Sequence, residues 1–135
     1  MLVDEVIHTS SFMVMPDTYW MYRTAPKTDM SWAAGEDVFG IIDDGEERTI
    51  ILTSATRPAD MPAEAYGPLV AFRVRTSKPF AAPGFLASLC GAVAATETSV
   101  LALSTFTFDY IFVRNASADA AEQALAERGL QTELP

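Results

Sequence analysis

The sequence predicts an α+β fold made of two related modules, with antiparallel sheets that carry helices on one face. The second half gives the clearer signal: between residues 70 and 134, a strand, a helix, two strands, a helix and a final strand follow one another. This β-α-β-β-α-β order is that of the ferredoxin-like unit. The first half has short strand-like runs and little helical pattern, which indicates a reduced version of the same unit.

The first strand and helix of the second half follow from side-chain periodicity. Residues 70–75 alternate strictly between apolar and other side chains, as a strand with one buried face does. In the helix predicted over residues 84–96, the large apolar side chains form one stripe: Phe85, Leu86, Leu89, Cys90 and Val93.

The remaining elements of this half are strands at residues 100–103 and 110–113, a helix at 118–128 and a strand at 130–134. The last helix has recognisable end signals. We expect Ser117 at the N-cap and Gly129 at the C′ position. Arg128 lies in the last turn, where a cation stabilises the helix dipole.

The strand candidates of the first half are residues 19–23, 38–43 and 49–54. The acidic segment at residues 43–47 is expected to be a hairpin loop, with Gly45 at positive φ. A junction rich in proline lies at residues 57–68, so the predicted modules are residues 1–66 and 67–135. A module of about 65 residues buries little surface alone, so we expect the halves to share a core or a sheet.

Composition limits the classes of function. The chain has 135 residues and a formal net charge of −9, which argues against nucleic-acid binding and against docking on an anionic membrane. No run approaches the about 20 apolar residues of a membrane-spanning helix. Asp4 and Glu5 stand where a signal peptide would be basic. The sequence therefore predicts a cytoplasmic location.

Catalytic and metal-binding patterns are weak. His8 is the only histidine, whereas zinc and iron sites need several His or Cys ligands. Cys90 has apolar neighbours and is expected in the core rather than as a nucleophile. Phosphate-binding glycine loops and serine-hydrolase motifs do not occur. We expect no metal, no cofactor and no enzymatic activity, although 18 acidic residues leave paired-carboxylate catalysis open.

The connection between the two middle strands of the second half is unusual. It carries Phe106 and Phe108 beside Thr105 and Asp109, where Gly, Asn or Pro normally occur. Exposed aromatic side chains next to hydrogen-bonding groups indicate a surface that a ligand or another chain covers. The alternative is that both phenylalanines fill the core of their own domain.

A second candidate feature is Gly84-Phe85-Leu86, which opens the first helix. The unpaired N–H groups and the positive end of the helix dipole favour a carboxylate, and Gly84 allows a ligand close to the backbone. Asp109 offers the complementary charge for an ammonium group. Together these groups suit a zwitterion such as a free amino acid. Separately, the structural alternatives are an ordinary helix start and a turn residue.

These two segments resemble ACT domains. The helix start Gly84-Phe85-Leu86-Ala87-Ser88-Leu89 and the hairpin VLALSTFTFDYIFV are similar to motifs of a tandem ACT-domain family, related to the CASTOR-type arginine sensors and to small bacterial ACT-domain proteins. The similarity covers residues 67–134 and is weak before them. Thr96-Glu97-Thr98-Ser99 departs from it, because a Gly-containing turn is usual there.

The resemblance implies a regulatory protein with tandem modules that binds an amino acid or a related small molecule at an ACT–ACT interface. It also implies a homodimer. Carried onto this chain, the ligand-contact candidates are Gly84, Phe85, Leu86, Ser104, Thr105, Phe106 and Asp109. The alternative function is a ligand-free dimerisation module, in which the hairpin with Phe106 and Phe108 packs against a second copy of itself.

Overall fold

The computed structural model describes residues 2–29, 31, 37–53 and 64–135. Its helices are α1 (Val3–His8), α2 (Phe85–Ala94) and α3 (Ala118–Arg128). Its strands are β1 (Ser11–Val14), β2 (Tyr19–Thr24), β3 (Asp37–Asp43), β4 (Arg48–Thr53), β5 (Glu64–Arg75), β6 (Leu101–Ser104), β7 (Asp109–Arg114) and β8 (Gln131–Glu133). A 3-10 turn at Asn115–Ser117 precedes α3.

The chain divides into two compact units. The first unit comprises Met1–Pro16 and Val70–Pro135, and the second comprises Asp17–Leu69. The predicted boundary between residues 66 and 67 stays a prediction. Residues 1–16, which that boundary assigns to the N-terminal module, lie in the same compact unit as residues 70–135.

The elements predicted over residues 70–134 are confirmed, with small shifts at their ends. Strand β5 is longer than predicted, since it begins at Glu64, and the final strand is shorter. Gly129 ends α3 with φ +123°, in agreement with its predicted place. Ser117 stands at the N-cap of α3, but its side chain makes no capping hydrogen bond.

The core of the first unit lies between its sheet and its helices. Phe72 and Val74 of β5 are fully buried, which confirms the face that the alternation predicted. The apolar residues of α2 differ in burial. Phe85, Leu89 and Val93 are buried, while Leu86 and Cys90 are partly buried and pack against the same cluster. Helix α3 adds Ala121 and Leu125, and β7 adds Ile111 and Val113.

The N-terminal segment forms a helix and a strand that contribute to this core, which the sequence did not predict. Helix α1 buries Val6 and Ile7, and β1 buries Phe12. Strand β1 pairs antiparallel with β5 and parallel with β8. The predicted β-α-β-β-α-β order of the ferredoxin-like unit is present, and β1 is an additional strand between the first and last strands of that unit. Runs of six and four residues are too short to give a clear periodic signal.

In the second unit, β3, β4, β2 and residues 64–69 of β5 pair antiparallel in that order. Its three predicted strands are confirmed, except that Ser54 lies outside the described residues. Residues 57–63 of the predicted junction also lie outside them. Tyr22, Ile50 and Leu52 form a buried cluster. The described part of this unit contains no α-helix.

The hairpin loop between β3 and β4 is confirmed, with Gly45 at φ +90°. The Asp44 carboxylate accepts backbone N–H bonds from Glu46 and Glu47, each at 2.9 Å. These N–H donors, that of Glu47 first, lower the pKa of Asp44 because they stabilise its charged form. The acidic residues of this loop thus order a turn.

No helix among the described residues combines the length and the apolar character needed to cross a membrane.

We predict that Gly129→Ala destabilises the first unit. A Cβ atom at residue 129 would lie 2.5 Å from Cδ2 of His8, and φ there is +123°. The exposed His8 ring can rotate away, but the positive φ strains an alanine, so the free energy of unfolding should fall by about 1–2 kcal/mol. Urea unfolding measures it.

The matched control is Gly91→Ala in α2, where a Cβ atom would meet nothing within 4 Å. Alanine favours a helix, so this variant should gain about 0.5 kcal/mol. Equal stability of the two variants would contradict the role assigned to Gly129.

Candidate functional site

An open pocket of about 360 Å³ lies in the first unit, between the loop that precedes α2 and the tip of the β6–β7 hairpin. The loop and the start of α2 contribute Thr76, Lys78, Pro79, Phe80, Ala82, Pro83, Phe85 and Leu86. The hairpin contributes Ser104, Thr105, Phe106, Thr107, Phe108 and Asp109. Pockets of this volume accommodate small molecules.

The hairpin tip is closed by hydrogen bonds between Thr105 and Phe108. The backbone N–H of Thr105 donates to the Phe108 carbonyl at 2.9 Å. The Thr105 hydroxyl accepts from the Phe108 N–H at 3.1 Å and donates to the Phe108 carbonyl at 3.3 Å. The hydrogen bonds of Thr105 thus stabilise a turn that lacks the Gly, Asn or Pro usual in such connections.

Asp109 begins β7 directly after this turn. The Ser104 hydroxyl donates to its Oδ1 at 2.5 Å, across the last pair of the β6–β7 ladder. That bond orients the carboxylate and leaves Oδ2 for a donor in the pocket. Asp109 is half-buried, so its charge acts in surroundings less polar than water.

Phe108 is fixed from below by two arginines of β5. The guanidinium carbons of Arg73 and Arg75 lie 4.4 and 4.8 Å from the centre of its ring. Arg75 is held in turn by Glu133, at 3.4 Å between Nε and Oε1. Cation–π contacts of this kind stabilise a partly exposed ring. Phe108 therefore anchors the hairpin to the sheet.

Phe106 is 87% exposed and contacts Phe80, which is 83% exposed; their ring centres are 5.4 Å apart. The expectation of exposed aromatic side chains thus holds for Phe106. Phe108 is neither exposed nor in the apolar core, since it packs on the arginines.

At the start of α2, Gly84 occupies the N-cap position with φ +85°, a conformation that residues with a Cβ atom rarely adopt. It has no side chain to cap the helix, and the first turn contains no acidic residue. The positive end of the helix is therefore not neutralised locally.

Six of the seven candidate contact residues line this one pocket: Phe85, Leu86, Ser104, Thr105, Phe106 and Asp109. Gly84 does not line it. Whether these residues contact a ligand stays a prediction. The sequence reasoning missed Lys78 and Phe80. An apolar ring beside two prolines, Pro79 and Pro83, is the signal that could have drawn attention to that loop.

The described residues contain no group of three or more His, Cys, Asp or Glu side chains that could hold a metal ion.

Cys90 of α2 is half-buried. Burial raises the pKa of its thiol, and the negative charge of Asp109 raises it further. Cys90 is therefore a neutral thiol at pH 7, unsuited to nucleophilic attack.

The chain was compared with known protein families, curated proteins and solved structures. Residues 67–127 match the family model of the ACT domain, which spans the loop, α2, the hairpin and most of α3. No curated protein matches the sequence.

Solved structures extend the similarity to nearly the whole chain. A Vibrio cholerae protein of unknown function, described as a possible transport protein, has a TM-score of 0.79 at 19% identity, covering 94% of this chain and 95% of its own. A protein from Agobacterium tumefaciens has a TM-score of 0.74 at 21% identity, covering 93% of each chain.

The ligand-free regulatory subunit of aspartate kinase from Thermus thermophilus has a TM-score of 0.64 at 17% identity, covering 90% of this chain and 97% of its own. At such identities the likeness shows the fold alone. The chain thus has an α+β fold shared with that regulatory subunit, and an ACT domain is matched at residues 67–127.

We predict that Phe108→Leu lowers the free energy of unfolding by about 1–2 kcal/mol, because both cation–π contacts are lost. Phe106→Leu is the control, since the Phe106 side chain is 87% exposed; it should change stability by less than about 0.5 kcal/mol. Urea titration distinguishes them, and equal losses would contradict the anchoring role of Phe108.

We also predict slow alkylation of Cys90. Since its pKa is raised, the thiolate fraction at pH 7.5 is lower than in the unfolded chain, and iodoacetamide should react more slowly with the native protein. Asp109→Asn removes one cause of the raised pKa and should speed the reaction. Mass spectrometry follows the modification, and equal rates in native and urea-unfolded protein would contradict this environment.

Proposed function

We propose that this chain is a small regulatory protein that binds an amino acid or a related small molecule in the pocket of the first unit. The observation that carries this proposal is that one pocket is lined by two side chains of opposite charge together with apolar side chains. Lys78 is the one cationic and Asp109 the one anionic side chain among the lining residues. A zwitterion would satisfy both groups, whereas a ligand of one sign would leave one charge without a partner.

The ACT match supports this proposal, because ACT domains are regulatory domains that bind amino acids. It covers residues 67–127 and therefore both sides of the pocket. A regulatory, non-catalytic role also agrees with the description of the aspartate kinase subunit that shares this fold. Regulation would operate by linkage: the ligand binds one arrangement more tightly and so shifts association or partner binding.

Three finer points belong to the proposal. The two modules are residues 1–66, a reduced ACT-like module, and residues 67–135, an ACT domain. The pocket is completed at an ACT–ACT interface, in a homodimer, since it is open on one side. The protein works in the cytoplasm, without a cofactor and without nucleic-acid or membrane partners, in keeping with its net charge of −9.

A second candidate function is a ligand-free dimerisation module. The exposure of Phe80 and Phe106, at 83% and 87%, favours this alternative. Two exposed rings in contact form an apolar patch that a second copy of the chain could cover. Under this alternative, dimerisation would need no small molecule.

We predict that one or a few amino acids raise the unfolding temperature of the protein. At 100 times its dissociation constant, a ligand stabilises the folded state by about 2.7 kcal/mol, which is worth several degrees. Differential scanning fluorimetry with each of the 20 amino acids at millimolar concentration tests it.

Asp109→Asn should remove that rise, because the amide has no charge for the ligand's ammonium group. The matched control is Asp119→Asn on the exposed side of α3, outside the pocket, which should keep the rise. A flat profile for the wild-type protein, with a dimer in sedimentation, would overturn the sensor function in favour of the dimerisation module.

A further inference from the structure

The mouth of the pocket carries two phenylalanines that the fold does not use. Phe80 comes from the loop before α2 and Phe106 from the hairpin tip, and each is more than four-fifths exposed. Their rings meet edge to face, 5.4 Å between centres and 64° between planes. Rings left in water contribute little to a core.

The backbone conformation of Phe80 is unusual for a residue with a large side chain. The N–H of Ala81 donates to the Lys78 carbonyl at 3.2 Å, which closes a tight turn. Phe80 is the third residue of this turn and has φ +60°. Turns of this kind favour glycine or asparagine there, because a Cβ atom is strained at positive φ. A phenylalanine held at such a position indicates a function for the ring.

The charges of the lining limit the ligand further. Lys78 and Asp109 suit one carboxylate and one ammonium group, and the lining offers no third charged side chain. A charged ligand side chain packed against the two rings would therefore find no partner of opposite charge among the lining residues. A small side chain would leave Phe80 and Phe106 exposed.

We infer that the ligand is an α-amino acid with an aromatic or large aliphatic side chain, which packs against Phe80 and Phe106. Its ammonium group meets Asp109 and its carboxylate meets Lys78. This inference rests on the proposed function, since it names the class of ligand for the same pocket.

Calorimetric titration of the full chain tests it, with L-phenylalanine, L-leucine, L-alanine and L-lysine as probes. L-Phenylalanine or L-leucine should bind at least about tenfold more tightly than L-alanine, from the area that the rings bury, and L-lysine should bind no better than L-alanine. 3-Phenylpropionate and phenethylamine, which each lack one charge, should bind about tenfold more weakly than L-phenylalanine.

Phe80→Ala and Phe106→Ala should each weaken L-phenylalanine by about tenfold and leave L-alanine nearly unchanged. The control is Leu134→Ala, a residue that is 85% exposed and does not line the pocket; its affinities should equal those of the wild type. Unfolding temperatures of all three variants establish that they fold.

The outcomes separate the two proposals. If none of the 20 amino acids binds, the proposed function fails and this inference with it. If only a small or charged amino acid binds, or if the two variants keep wild-type selectivity, this inference fails while the proposed function stands. If the variants dissociate a dimer and leave selectivity unchanged, the rings belong to an interface between copies, and the inference is overturned.

Discussion

The pairing of β1 with β5 is the interaction on which the rest of the first unit depends. It places Phe12 against Phe72 in the core, with 6.1 Å between ring centres. It also fixes the start of the pocket loop, because the Ser77 N–H donates to the Ser10 hydroxyl at 2.9 Å. Ser10 in turn donates to the Val6 carbonyl at 2.6 Å. The N-terminal segment thus holds the loop that carries Lys78 and Phe80.

The two sides of the pocket are supported differently. The hairpin side is tied down by the bonds within its turn and by the arginines beneath Phe108. The loop side rests on Ser77 and on a turn that sets Phe80 at positive φ. Helix α2 begins at the pocket, and its first turn is linked to α3 because Nε of Arg128 donates to the Ser88 hydroxyl at 3.0 Å. The Asp109 carboxylate and the Thr105 hydroxyl are therefore held by the scaffold before any ligand arrives, which lowers the entropic cost of binding.

The fold and the site support different kinds of conclusion. The fold is shared with proteins of fewer than a quarter identical residues, one of them a regulatory subunit of a kinase. A fold can carry many functions, so ligand class must be argued from the site. Here the argument comes from one carboxylate, one ammonium group and two exposed rings in the same pocket.

The sequence by itself determined the elements whose signals are local. The alternation in β5, the stripe on α2 and the glycine that ends α3 are each set by neighbours along the chain, and so is the hairpin that carries Thr105 and Asp109. Only the tertiary structure decided that β1 lies between β5 and β8, and that Lys78 and Phe80 face the hairpin. The physical reason is that strand pairing and loop contact depend on residues far apart in the chain, such as Met13 with Arg73 and Phe80 with Phe106, and no local periodicity records such pairs.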